Sequence, residues 1–150
     1  MKILVFTEGT IIMHKDKNAI HDYATYIPIG NAAGKLNNWR QQGAEIMYLT
    51  PRTKMEEVYD IKGVLKKYDF PDGQVFFRQN GEKYKDIAEK VMPDILIEDD
   101  CESIGGADNM TITHIKPEIK NNIKSIIVKE FQGIDYLADD ICDSQKYENV

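Results

Sequence analysis

Short apolar runs alternate along the chain with longer stretches in which apolar residues recur every three or four positions. The short runs, residues 2–6, 45–49, 75–77, 95–97 and 125–128, read as strands. Each is too uniformly apolar to alternate faces, as strands covered on both sides of a parallel sheet must be. Between them lie helices with recognisable ends. Asn31 caps one that runs through Gln42, with Ala32, Leu36 and Trp39 on one face and Gly43 as a left-handed stop. Thr53 and Glu56 make a capping box ahead of the stripe Met55, Val58, Ile61, Leu65 and Tyr68. A third helix over 82–92 turns Tyr84, Ile87, Ala88 and Val91 inward and stops at Pro93, and Pro117 opens a short helix before the last strand. The alternation predicts an α/β fold, a Rossmann-like three-layer sandwich around a mostly parallel sheet of about five strands.

Length and composition narrow the picture. The 150 residues suit a single domain, and Ile, Leu, Val and Phe make up a quarter of them, above the ~20% below which disorder sets in. We therefore expect one domain over 1–150, with 11–30 forming a flap over the strand ends and the acidic stretch 139–150 a flexible tail. Acidic residues outnumber basic ones 25 to 19, giving a net charge of -6 and a pI near 5.1. That balance argues against nucleic acid or an anionic membrane as the principal partner. The N-terminal apolar run is far too short to span a bilayer and lacks the form of a signal peptide, so a cytoplasmic address is expected. Cys101 and Cys142 lack metal-ligand spacing and are expected as reduced thiols.

In an open parallel sheet, ligands bind beyond the carboxyl ends of the strands. Three segments there carry chemistry: Thr7-Glu8-Gly9-Thr10 after the first strand, Thr50-Pro51-Arg52 after the second, and Glu98-Asp99-Asp100-Cys101-Glu102 after the fourth. Hydroxyls, an arginine, nearby lysines and clustered carboxylates suit a phosphate bridged to a hard cation such as magnesium. Each feature also has a plainer reading. A Gly-Thr pair is ordinary turn chemistry, Thr50 and Arg52 can satisfy backbone and solvent, and lysines decorate most helices. Successive acids at a strand end are harder to dismiss, because their repulsion needs a compensating charge or full solvation. His14, His21 and His114 have no motif-like spacing, and Cys101 sits between acids that raise its pKa. Ser103-Ile104-Gly105-Gly106 reads first as a loop and second as an anion nest.

The order of these features resembles the haloacid dehalogenase-like superfamily, in its minimal-cap form. The likeness covers residues 2 to about 100. Val5-Phe6-Thr7-Glu8-Gly9-Thr10 is similar to that family's strand followed by Asp-x-Asp-Gly-Thr. Ile46 to Thr50, with Arg52 nearby, is similar to its second motif, Lys83 or Lys85 to its third, and Asp94-Ile95-Leu96-Ile97-Glu98-Asp99-Asp100 to its fourth. The resemblance implies magnesium held by Asp99, Asp100 and Glu8, the last through its backbone carbonyl. It implies a phosphoryl group met by Thr7, Thr10, Thr50, Arg52, Lys83 and Lys85, with Glu8 as acid and base. Anchoring on Gly9-Thr10 puts Phe6 where the family has its nucleophilic aspartate, so the sequence does not support a covalent aspartyl-phosphate route.

The resulting expectation is a phosphatase-related protein that binds a small phosphorylated ligand, with magnesium, and whose hydrolysis is altered or absent. Two alternatives stand beside it. One is an active magnesium-dependent phosphomonoester hydrolase that uses an atypical nucleophile or activated water. The other is a non-catalytic regulatory subunit engaging a protein partner or a second copy of itself.

Overall fold

The computed structural model describes residues 1–144. The first half of the chain contains β1 (Lys2–Phe6), the two-residue strands β2 (Ile12–Met13) and β3 (Ile27–Pro28), α1 (Ala32–Gln41), β4 (Glu45–Leu49), α2 (Met55–Lys67) and β5 (Val75–Phe76). The second half adds α3 (Tyr84–Val91), β6 (Ile95–Asp99), the short helices α4 (Thr111–His114) and α5 (Pro117–Lys120), β7 (Lys124–Val128) and α6 (Ile141–Ser144). Five strands form one all-parallel sheet in the order β5-β4-β1-β6-β7. The chain winds outward from β1 through β4 to β5, then returns to the other side of β1 for β6 and β7. That reversal opens a crevice beyond the carboxyl ends of β1 and β6.

The uniform apolar runs are explained by burial on both faces. Ile3 and Val5 of β1 belong to a core shared with Leu36 and Trp39 of α1 and Val58 and Ile61 of α2. Leu4 and Phe6 belong to a second core with Ile87 and Ala88 of α3 and Ile112 of α4. Helices thus cover both faces of the sheet, which makes the three layers.

Some local expectations differ from the structure for identifiable reasons. β6 continues two residues past Ile97, because Glu98 and Asp99 pair in register with Ile127 and Val128 of β7. The Thr53–Glu56 capping box does not form among the described residues: α2 begins after Lys54, with Glu56 and Glu57 in its first turn, where the helix dipole favours acid. At α3 the Lys83 N–H donates to the Asp86 carboxylate at 2.8 Å. Segment 11–30 contains the β2–β3 hairpin, whose strands are too short to show a period in sequence. Of the acidic stretch at the end, residues 145–150 lie outside the described residues. The part that is described packs onto α1, with Ile141 buried, Lys35 Nζ donating to Asp139 Oδ1 at 2.6 Å and Trp39 Nε1 donating to the Ala138 carbonyl at 3.1 Å. No helix among the described residues is long and apolar enough to cross a membrane.

Trp39 is fully buried and ties α1 both to the sheet and to the C-terminal segment. Trp39→Ala is expected to cost about 3–5 kcal/mol in urea unfolding; a loss below about 1 kcal/mol would mean that this helix contributes little to the core.

Candidate functional site

The loop after β1 is shaped by its own backbone. The Thr7 carbonyl accepts from the N–H groups of Thr10, Ile11 and Ile12 at 3.2, 2.9 and 3.1 Å, which curls the chain back over the end of the strand. Gly9 sits at φ +86°, and a Cβ there would lie 3.0 Å from Asp99 Oδ1. Both the left-handed conformation and the close approach require glycine. The curl brings Thr10 to the end of β6. There its hydroxyl donates to Asp99 Oδ1 at 2.9 Å and accepts from the Asp99 N–H at 3.1 Å. Thr10 therefore positions Asp99.

Glu8 points the other way, toward β4. Its carboxylate accepts from the Thr50 hydroxyl at 2.9 Å, from Arg52 Nε at 3.0 Å and from the Thr7 hydroxyl. Thr50 Oγ1 also accepts from the Arg52 N–H at 3.2 Å, so that one turn presents hydroxyl and guanidinium together. The guanidinium lies over the Tyr23 ring, 4.3 Å from its centroid, and bonds the Tyr23 hydroxyl. Burial raises the Glu8 carboxyl above its ordinary pKa of 4.5, opposed by the Thr7 hydroxyl and the Arg52 charge. Thr7, Thr50 and Arg52, read from sequence as an anion cradle, thus meet in space, and the anion they hold is Glu8.

A second carboxylate group forms on the β6 side. Oxygens of Asp99, Asp100 and Glu130 lie within 4.8 Å of one another. Thr10 and the Cys101 N–H, at 3.1 Å from Oδ2, orient Asp99. Asp100 Oδ1 accepts from the N–H groups of Glu102 and Glu130 at 3.2 and 3.3 Å. Glu130 accepts from Ser103 N–H at 2.8 Å and from its hydroxyl at 2.7 Å, so donors of the segment read as an anion nest serve this carboxylate. Each carboxylate keeps free lone pairs, and three hard oxygen donors fit a magnesium-type cation. Burial also raises the Asp99 pKa, a penalty that a bound cation would relieve. The sequence reading missed Glu130, although it lies two residues beyond the end of β7, where the strand-end rule points. Glu8 is directed to Thr50 and Arg52 rather than to this group, and none of the three histidines belongs to it among the described residues.

A cavity of about 460 Å³ opens between the two carboxylate sites. Phe6, Glu8, Arg52, Asp99 and Glu130 line it, and so does Tyr84, whose ring meets that of Phe6 edge-on at 5.1 Å. Lys83 and Lys85 instead line a neighbouring pocket with Arg78 and His114, and Tyr84 forms part of the wall of both. Glu98 is 2% exposed and accepts from the Thr111 and Ile112 N–H groups at 2.7 and 3.0 Å. Burial pushes its carboxyl up to about 7. Burial and then the charge of Asp99 push the Cys101 thiol up to about 12, which leaves it protonated and unreactive at neutral pH.

Two solved structures share the fold. Over 87% of this chain and 93% of its own, D,D-heptose 1,7-bisphosphate phosphatase from Burkholderia thailandensis superposes with a TM-score of 0.52 at 10% identity. The D,D-heptose 1,7-bisphosphate phosphatase from B. bronchiseptica, complexed with magnesium and phosphate, gives 0.51 at 12% identity over 88% and 94%. At such identities the likeness speaks to architecture, a Rossmann-like three-layer α/β fold. No family model and no curated protein sequence matches the chain.

Glu98 holds its proton more tightly folded than unfolded. Between pH 4.5 and about 7 the folded state keeps a proton that the unfolded chain has released, so this group's contribution to stability falls as pH rises through that window. The difference in urea midpoint between wild type and Glu98→Gln should therefore change across the window and level off on either side; a flat difference would show an ordinary carboxyl. Arg52→Leu should cost about 3 kcal/mol at neutral pH by stranding the Glu8 charge. Adding Glu8→Gln should recover most of that loss, and purely additive costs in the double mutant would exclude the coupling.

Proposed function

We propose that the chain is a haloacid dehalogenase-like, phosphatase-related protein that binds a phosphorylated ligand together with magnesium in the crevice between β1 and β6, with hydrolysis altered or absent. The observation that carries this reading is the approach of Asp99, Asp100 and Glu130 within 4.8 Å on one side of a cavity at the strand ends. A structural neighbour complexed with magnesium and phosphate supports it. In this reading the three carboxylates hold the cation, with the Glu8 backbone carbonyl as a further ligand. When bound, magnesium supplies positive charge to the phosphoryl oxygens. Arg52 has donors for both Glu8 and the phosphoryl group, Thr7 and Thr50 act through Glu8, to which their hydroxyls are committed, Thr10 acts through Asp99, and Lys83 and Lys85 add positive potential from the adjoining pocket. The domain spans 1–150, and segment 11–30 serves as the flap.

Phe6 limits the chemistry. In this reading it stands where the family has its aspartyl nucleophile, and a phenyl ring can form no acyl-phosphate. A second reading, slow hydrolysis by activated water, is favoured by Glu8, which faces the cavity with a raised pKa. Such a carboxyl can protonate a leaving oxygen and then take a proton from water.

Calorimetric titration with magnesium and then inorganic phosphate tests the binding reading. Asp99→Asn and Glu130→Gln should each weaken magnesium at least about tenfold, and phosphate should bind more tightly once magnesium is present. Phosphate release from a monoester panel should be slow or nil and should vanish in Glu8→Gln. Wild-type protein that ignores millimolar magnesium, or a trapped acyl-phosphate adduct, would overturn the proposal.

A further inference from the structure

The two halves of the cavity wall differ in chemistry. Glu8, Arg52, Asp99 and Glu130 line it at or close after the ends of β1, β4, β6 and β7, together with the ring of Phe6 at the end of β1. The rest of the lining is largely aromatic and aliphatic, with Met13, His14, Ile20 and Tyr26 from segment 11–30 and Ile104 and Phe131 from the loops after β6 and β7. Isolated apolar side chains on a surface are ordinary. Here two large ones, Ile20 at 42% exposure and Ile104 at 66%, line the same cavity from separate segments. Water therefore wets an apolar mouth.

The backbone holds this mouth in place. Phe131 has φ +66°, an uncommon conformation for a bulky residue, and its N–H donates to the Gly9 carbonyl at 2.9 Å. Its ring meets His14 edge-on at 5.5 Å, and His14 meets Tyr26 at 6.2 Å. Several polar groups on the wall already have partners. The Tyr26 hydroxyl donates to the Ile20 carbonyl at 2.6 Å, Asn109 Nδ2 to the Ile104 carbonyl at 2.7 Å, and Ser103 to Glu130. A polyol seated here would exchange water for hydrocarbon and lose hydrogen bonds, whereas a flat apolar group would bury the exposed rims.

We propose that the ligand of this site is a phosphomonoester of an aromatic or similarly flat apolar alcohol, its ring lying between Phe131 and the Ile20–Ile104 rim. The volume is within the range of small-molecule sites. This inference rests on the phosphate-and-magnesium reading above and adds the identity of the ligand's other end.

The test is calorimetry in magnesium with naphthyl phosphate, glycerol phosphate, a hexose bisphosphate and inorganic phosphate. Naphthyl phosphate is expected to bind at least about tenfold more tightly than the other three, a difference of about 1.4 kcal/mol. Ile104→Ser and Ile20→Ser change exposed side chains and keep the fold. Combined, they should abolish the naphthyl preference while magnesium and inorganic phosphate bind as before. If the hexose bisphosphate or glycerol phosphate binds as tightly as naphthyl phosphate, the apolar-ligand inference fails and the phosphate reading survives. If magnesium binds but no phosphorylated probe does, the phosphate reading itself fails and takes the inference with it.

Discussion

A hydroxyl that both gives and receives holds the two sides of the crevice together. Thr10 belongs to the loop after β1 and Asp99 to the end of β6, yet their paired hydrogen bonds, at 2.9 and 3.1 Å, make them one rigid unit. This requires that nothing project from residue 9, since a methyl there would touch Asp99 Oδ1. It also requires that β6 extend to Asp99, so that the carboxylate leaves an ordered strand. With those conditions met, Glu8 and Asp99 are directed to opposite walls and a cavity stays open between them.

Buried acid is the second theme. Glu8, Glu98 and Asp99 are all pushed toward protonation by burial, and each is compensated by different means. Glu8 has a guanidinium and two hydroxyls, Glu98 two backbone N–H groups, and Asp99 a hydroxyl and one N–H. Only the first pairing includes a full opposite charge. The β6 side of the cavity therefore carries uncompensated negative potential, in a medium less polarisable than water. The two walls thus differ: on the β4 side Arg52 and Glu8 compensate each other, and on the β6 side the carboxylates rely on hydroxyl and backbone N–H donors alone.

The parts of the fold visible in sequence were those with strong one-dimensional signatures. Buried parallel strands are continuous apolar runs, and α1, α2 and α3 carry apolar stripes, so the three layers followed from pattern. Where a local rule competed with tertiary pairing, pairing prevailed: β7 holds Glu98 and Asp99 inside a strand, although two acids usually mark its end. The meeting of Thr7, Glu8, Thr50 and Arg52 was anticipated as a shared site, because residues following adjacent parallel strands must be neighbours. That Glu8 would itself occupy the cradle was not legible, since side-chain direction has no sequence signal there. Glu130 and Phe131 were missed because a single acid and a single aromatic after the last strand resemble any loop. Which pocket Lys83 and Lys85 face depends on the Tyr84 ring between them, a fact of three dimensions.

Glu130 and Phe131 come after every strand of the sheet in chain order, and the segment that follows them is moored to α1 by Lys35, Trp39 and Gln42. A growing polypeptide leaving the ribosome therefore has every strand of its sheet before it has the last carboxylate or the aromatic lip, and Ile134, Leu137 and Ile141, which complete one of the two cores, come later still. Assembly of the scaffold and completion of the crevice are separable in time. A chain that has formed its sheet but not yet docked this last segment would leave the Trp39 indole without its acceptor and one core without Ile134, Leu137 and Ile141, and the loop that carries Glu130 and Phe131 would have no mooring.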